Sequence, residues 1–180
     1  MRYFLIVPLL LTLAGCTPSS VNSQEADTPK AYRTTQPSLL YFKNMRSANY
    51  QQEEQKATRI TSYTHNRLRD QHQDSLGFTP QIASDWLNDR AFLIPQWAGN
   101  QVQPSMPLTI LYETDSLVLA SPTPMAQTDW LLQVHELMQA GEQLRLKTGQ
   151  QDAIPFLQDP RLRSTFSTVV KDYLRLTEHQ

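Results

Sequence analysis

Residues 108–121, LTILYETDSLVLAS, determine the fold class that the sequence predicts. Two apolar runs flank the triplet Glu113-Thr114-Asp115, an arrangement typical of two β-strands joined by a tight turn. Strands joined by so short a connection pair in the antiparallel direction. The stretch therefore predicts an antiparallel β-hairpin.

The residues that follow, 121–143, predict an amphipathic helix. Thr123 can cap its N-terminus, Pro124 suits the first helical position, and Gly141 stands where a glycine commonly ends a helix. Apolar residues at helical spacing share one face, and they are Trp130, Leu131, Val134, Leu137 and Met138.

Further downstream, two strands and a second helix are predicted. Residues 143–147 and 152–157 form the strands, with a turn at Thr148-Gly149 between them. Asp159-Pro160 opens the helix, and its apolar stripe is wide enough to be buried against a sheet. The stripe consists of Leu162, Phe166, Val169, Val170, Tyr173, Leu174 and Leu176.

Upstream of the hairpin the patterns are weaker. Residues 38–56 predict a helix that begins at Ser38 and has a polar, solvated end over residues 51–56. Residues 58–65 predict a strand, and residues 66–78 predict a polar loop. The run 91–97 predicts a strand at a sheet edge or a bulge, because Pro95 lacks the N–H that a β-ladder needs.

These elements together predict a single α+β domain over residues 38–180, with an antiparallel sheet and two or three helices packed on one face. A chain of this length can bury a sufficient core without covalent cross-links. An internal disulfide is excluded, because Cys16 is the only cysteine.

The first sixteen residues have a different character. Arg2 precedes about a dozen mostly apolar residues, a run shorter than the roughly 20 residues that span a bilayer. Such a run is typical of the apolar region of a signal peptide. Leu13-Ala14-Gly15-Cys16 follows, and with it the whole stretch resembles a bacterial lipoprotein signal peptide with its lipobox.

The resemblance implies a cleaved signal peptide over residues 1–15 and a lipid anchor at Cys16, whose thiol receives diacylglycerol and whose new amino group is acylated. The lipid bilayer is then a partner of the chain. Thr17, rather than Asp, follows the cysteine, which by the sorting rule of this family favours the outer membrane and its periplasmic face. Residues 16–37 are polar, so we expect a flexible tether after the lipidated cysteine.

Composition and motifs argue against several classes of function. The formal net charge of −1 does not favour nucleic acid as a partner. The glycine-rich phosphate-binding motifs and the common serine-nucleophile motifs are absent from the sequence. His135-Glu136 begins the zinc motif H-E-x-x-H, but Gln139 stands where the second histidine is needed. We therefore expect no cofactor, no metal site and no catalytic residue.

Five residues form a candidate interaction surface, since aromatic and arginine side chains are frequent at protein interfaces. They are Tyr41, Phe42, Arg46, Trp86 and Trp97. The alternative, which we favour, is that these aromatic residues pack on the sheet as part of the core.

The sequence leads to three hypotheses about function. The first is a non-catalytic outer-membrane lipoprotein that contacts another envelope protein as an accessory or assembly component. The second is a periplasmic carrier or chaperone for an apolar ligand such as lipid, which needs an apolar cavity. The third is an envelope hydrolase in which Asp85 and Asp89 act as an acid–base pair, although Asn88-Asp89 is also common turn chemistry.

Overall fold

The computed structural model of the protein describes residues 32–68, 77–97, 107–113, 115–149 and 152–177. Within these residues, eight strands form two four-stranded antiparallel sheets, and three α-helices accompany them. The strand orders are β1-β2-β3-β4 in the first sheet and β6-β5-β7-β8 in the second. The protein is α+β with antiparallel pairing, as the sequence predicts, but its strands are divided between two sheets.

The helices and strands have the following bounds. The strands are β1 Tyr50–Gln55, β2 Ile60–His65, β3 Phe78–Asp85, β4 Arg90–Trp97, β5 Leu108–Tyr112, β6 Asp115–Leu119, β7 Arg145–Thr148 and β8 Ile154–Pro155. The helices are α1 Gln36–Tyr41, which continues as a π-helical turn Phe42–Arg46 and a 3-10 turn Ser47–Asn49, α2 Pro124–Gln139 and α3 Pro160–Leu176. A further 3-10 turn spans Asn66–Leu68.

The hairpin predicted from residues 108–121 is confirmed. β5 pairs with β6 from Leu108 opposite Leu119 to Tyr112 opposite Asp115. The strands predicted before α3 are also confirmed, since β7 pairs with both β5 and β8. Glu113, in the tight turn, has a φ of 39°, the left-handed backbone that such short connections require.

Both predicted C-terminal helices are confirmed with their caps. The Thr123 hydroxyl accepts the Ala126 N–H at the start of α2, and the Asp159 carboxylate accepts the Arg161 N–H at the start of α3. Gly141 ends α2 with a φ of 89°, and the N–H of Glu142 reaches back to the Leu137 carbonyl. This is the glycine-terminated helix end that the sequence predicts.

The predicted helical end over residues 51–56 is wrong, because β1 occupies this stretch. β1 pairs with β2 along its whole length, from Tyr50 opposite His65 to Gln55 opposite Ile60. Glutamine and glutamate are good helix formers in isolation, but their preferences amount to only tenths of a kcal/mol per residue, which cross-strand pairing overrides. The outer edge of the first sheet is therefore a polar strand, which suits an exposed edge.

β3 is an element that the sequence pattern does not predict. Pro80 and several polar residues obscure its alternation, although Phe78, Pro80 and Ile82 are buried. Its pairing with β2 ends at Gln81 opposite Thr64, so Pro80 lies beyond that ladder and does not have to donate to it.

β4 lies at the edge of the first sheet, as Pro95 predicts. Helix α2 covers this edge: the Thr128 hydroxyl accepts the Leu93 N–H at 2.9 Å and lies 3.2 Å from the Leu93 carbonyl oxygen. Both sheets share one continuous core with α2 and α3. At its centre, the Phe156 ring lies 5.0 Å from that of Phe78 and 6.4 Å from that of Trp130.

Residues 32–37, which composition assigns to the tether, belong to the folded part instead. Tyr32 is buried, its ring packs 5.6 Å from that of Phe92, and its hydroxyl donates to Asp129 at 2.6 Å. The burial of this large aromatic residue and the hydrogen bond from the Thr34 N–H to the Asp89 carbonyl hold the polar neighbours on the surface of the domain. Residues 1–31, with Cys16 and most of the predicted tether, lie outside the described residues.

Candidate functional site

The five residues of the candidate interaction surface do not form one surface. Phe42 is buried between Tyr50 and Tyr63, at ring distances of 5.5 and 5.1 Å. Trp97 is half-buried and packs 5.2 Å from Phe78. These two belong to the core because they stand at inward positions of their elements.

The remaining three lie in different surroundings. Tyr41 and Trp86 are exposed, but they belong to α1 and to the turn between β3 and β4. Arg46 extends inward and binds Asp172 of α3. Phe42 therefore cannot belong to an exposed surface, whereas Arg46 and Trp97 are partly exposed and their part in an interaction stays a prediction.

Arg46 is part of a charged cluster around the buried carboxylate of Asp172. Its Nε and one terminal nitrogen donate to the two carboxylate oxygens of Asp172 at 2.8 and 2.9 Å, and the Tyr50 hydroxyl donates to the same carboxylate at 2.7 Å. Asp172 is almost fully buried. Three donors thus satisfy one carboxylate, which is the condition for burying a charge.

Electrostatics keep Tyr50 and Arg46 protonated. Burial, and then the negative charge of Asp172, raise the pKa of Tyr50, so that its hydroxyl keeps the proton that it donates. The hydrogen bond to Asp172 raises the pKa of Arg46. With every partner engaged, the cluster fixes the N-terminal segment to α3.

His65 lies beside the cluster. Its ring meets Tyr50 edge-on at 5.1 Å, and its Nδ1 accepts the Arg67 N–H at 3.2 Å. Burial, followed by the nearby Arg67 charge, lowers the pKa of His65, while Asp172 opposes this shift. The histidine is therefore neutral at pH 7.

The segment held by this cluster presents three large apolar side chains to solvent. Leu40, Tyr41 and Met45 are 61%, 44% and 62% exposed, and we call them the apolar patch. Lys43 is exposed on the same segment. The Ser38 hydroxyl donates to the Leu176 carbonyl at 2.7 Å and fixes the beginning of the segment. The patch is thus anchored at both of its ends.

A second exposed apolar feature is the turn between β3 and β4. Trp86 and Leu87 are 50% and 54% exposed. The Asp85 carboxylate accepts hydrogen bonds from the backbone and the side chain of Asn88, and Asp89 has a left-handed φ of 49°. Asp85, one of the two candidate hydrolase carboxylates, is thus engaged in shaping the turn, and Asp89 is exposed.

A third group joins α2 to α3. His135 Nε2 lies 3.1 Å from the Ser167 hydroxyl, and Gln139 Nε2 donates to that hydroxyl at 3.3 Å. Burial and the Lys171 charge lower the pKa of His135. A neutral histidine beside a serine has the chemistry of a base and a nucleophile. Within the described residues, however, no hydrogen bond to a carboxylate orients the other ring nitrogen.

Two of the depressions on the described surface are lined mainly by polar residues. One of about 340 Å³ lies beside Ser167, between Arg163 and Lys171. Another of about 500 Å³ lies beside the start of α3 and is lined by Arg67, Pro160, Arg161, Ser164 and Thr165. An apolar carrier site needs a cavity walled by apolar side chains, and neither depression has such a wall.

In the described ranges, no group of three or more His, Cys, Asp or Glu side chains is placed to hold a metal ion. No helix in that part of the chain is long and apolar enough to cross a membrane.

Sequence patterns miss the residues that organise these features, although the signals exist. Asp172 is a charge inside the apolar stripe of α3, at helical spacing from Val169 and Leu176. Leu40 and Met45 are apolar residues on a segment whose core contact is Phe42. Ser167 stands at the border of the stripe and carries no pattern that would identify its contact with His135.

Comparison of the chain with protein-family models, with curated proteins and with solved structures found no match.

Proposed function

We propose that the protein is a lipid-anchored, non-catalytic accessory protein of the outer membrane, facing the periplasm, whose domain binds another envelope protein through the apolar patch. The observation that carries the proposal is the exposure of Leu40, Tyr41 and Met45 on one rigidly held segment. Aromatic and methionine side chains are enriched at protein interfaces, and a preorganised segment loses little entropy when it binds.

The charges beside the patch define the partner's chemistry. Lys43 is exposed, and no carboxylate lies on the segment from Gln36 to Asn49. We therefore expect an apolar pocket with an acidic rim on the partner, since opposite charges at the rim guide association.

The anchor is proposed from Leu13-Ala14-Gly15-Cys16. Acyl chains gain about 0.8 kcal/mol per buried methylene, and a single chain binds a membrane only marginally, so the several chains on a lipoprotein cysteine give a durable anchor. Cys16→Ser should abolish palmitate labelling in cells and leave an uncleaved or mislocalised precursor. Normal labelling and maturation of this variant would contradict the anchor.

The docking role is tested by site-specific photo-crosslinking in cells. A photoreactive residue at Met45 should give one discrete protein adduct, and the same residue at Gln133, exposed on α2, should not. Leu40→Ser and Lys43→Glu should each reduce the Met45 adduct by at least several-fold, because they remove the apolar contact and reverse the rim charge. Equal adducts from both positions, or an adduct insensitive to Leu40 and Lys43, would refute the role.

A further inference from the structure

The turn between β3 and β4 is exposed, and its base contacts the first residues of the described chain. Trp86 and Leu87, at its tip, are adjacent and each about half exposed, at 50% and 54%. Neither residue belongs to a strand of the sheet, since β3 ends at Asp85 and β4 begins at Arg90.

The described chain begins near the base of this turn, at Tyr32 beside Phe92 of β4. Arg33 forms a bridge with Arg90, and the Thr34 N–H donates to the Asp89 carbonyl at 2.8 Å. After Tyr32 the chain therefore runs along β4 toward the base of the turn.

The distance from the anchor is short. Residues 17–31 separate Cys16 from Tyr32. A fully extended chain of fifteen residues reaches at most roughly 50 Å. A lipidated Cys16 thus keeps the turn close to the bilayer, where a weak contact becomes effectively intramolecular.

Charged side chains of both signs lie at the same end of the sheet. The turn between β1 and β2 lies at this end of the sheet, because Ile60 pairs with both Gln55 and Asp85. Lys56 and Arg59 are exposed in that turn. Exposed Glu54 and Asp89 are anions at the same end, and the Asp85 carboxylate, which Asn88 engages through neutral donors, is a third. Lys56 and Arg59 are the side chains here that can pair with lipid phosphate groups.

From these observations we propose that the Trp86–Leu87 turn inserts into the headgroup region of the bilayer that holds Cys16, so that the domain contacts the membrane at two points. Tryptophan favours this region because its ring is apolar and its N–H can meet water or headgroups. The inference rests on the lipid anchor of the proposed function. It leaves the apolar patch free for a protein partner.

The test uses the full-length, lipidated protein in vesicles of phosphatidylethanolamine and phosphatidylglycerol that contain brominated acyl chains. Bromine quenches only tryptophan that reaches the acyl boundary. The wild-type protein should lose fluorescence relative to unbrominated vesicles, and Trp86→Phe should lose none. Leu87→Ser should reduce the quenching of Trp86 at least twofold, because it removes half of the apolar tip.

A matched control places tryptophan elsewhere. Val118 on β6, in the other sheet, is 51% exposed, so Trp86→Phe combined with Val118→Trp presents an equally exposed indole away from the turn. We expect no quenching of this variant. Equal quenching of the two proteins, or an unquenched Trp86, would overturn the inference.

Mass analysis of Cys16 in the same preparation separates the two proposals. A lipidated Cys16 with an unquenched Trp86 would overturn the membrane contact alone. An unmodified Cys16 would overturn the anchor and, with it, the membrane contact. A photoreactive residue at Leu87 that captures a protein in cells, instead of lipid, would also overturn the contact and assign the turn to a protein partner.

Discussion

Asp172 is the residue on which the N-terminal segment depends. It is the one carboxylate among the buried residues of α3, and it accepts three hydrogen bonds from Arg46 and Tyr50. Arg46 is a quarter exposed at its side chain, so water offsets part of its charge. Water does not solvate the buried Asp172 carboxylate, so the hydrogen bonds from its donors are essential to the fold.

Asp172→Asn should destabilise the protein by about 3 kcal/mol, because it removes the negative charge that Arg46 and Tyr50 share and turns an amide N–H toward a donor. The free energy of unfolding from urea titration measures this effect. Asp152→Asn, at an exposed position, is the control and should change stability by less than about 0.5 kcal/mol.

Arg46→Met removes the other charged partner of this ion pair. If the two residues act together, the double variant with Asp172→Asn should lose less stability than the sum of the single losses. Simple additivity of the two changes would contradict the role of the pair.

Thr128 of α2 completes the hydrogen bonding of the edge strand β4. β4 is an edge strand, yet Leu93 at its centre is fully buried, so its N–H cannot reach water. The hydroxyl of Thr128 on α2 accepts this N–H at 2.9 Å. The same hydroxyl can donate its proton to the carbonyl oxygen of Leu93, 3.2 Å away, or to that of Pro124, 2.8 Å away. Helix α2 therefore closes the edge through a side chain, where a further strand would use its backbone.

Thr128→Val should cost about 2 kcal/mol, because the side chain keeps its volume while the Leu93 N–H loses its acceptor. Thr128→Ser should recover most of this loss, since the serine hydroxyl can make the same bonds. Thermal or urea unfolding of the three proteins checks the order. A valine variant as stable as the wild type would mean that water reaches the edge.

The two sheets of the molecule share one core. Two histidines, His65 and His135, are kept neutral in the folded molecule. The pKa values of His65 and His135 are both lowered from 6.5, chiefly by burial. Between the lowered pKa and 6.5, the unfolded chain binds more protons than the folded one, so stability is full above 6.5 and falls as the pH drops below it.

The free energy of unfolding should therefore decrease below pH 6.5, with a slope of at most about 1.4 kcal/mol per pH unit for each histidine. His65→Gln should make the slope shallower, because it removes one titrating group next to Arg46, Arg67 and Asp172. Urea titrations from about pH 5 to about pH 8, a range that brackets the ordinary pKa of histidine, measure both slopes. Identical slopes in the two proteins would contradict the assignment to His65.

Local patterns predict the C-terminal half of the fold well. The hairpin of β5 and β6, the caps of α2 and α3 at Thr123 and Asp159, and the end of α2 at Gly141 all follow from a few neighbouring residues. Turn chemistry and capping act over one or two turns of chain, so their signals survive in the sequence.

The N-terminal half depends on distant partners. β1 is a strand only because β2 pairs with it, and Arg46 is directed inward only because Asp172 stands 126 residues away on α3. Neither relation leaves a local signal, so Gln51 to Gln55 have the pattern of a helix end and Arg46 that of a surface residue.

The sequence by itself determined the α+β class and the antiparallel pairing, and for function it predicts a lipid attachment at Cys16. The tertiary structure decided which aromatic residues are core and which remain exposed, leaving the apolar patch and the Trp86–Leu87 turn on the surface. The physical reason is that exposure is a property of the whole packing arrangement. A residue's type sets the free energy gained by its burial, and only the fold determines whether a neighbour is there to bury it.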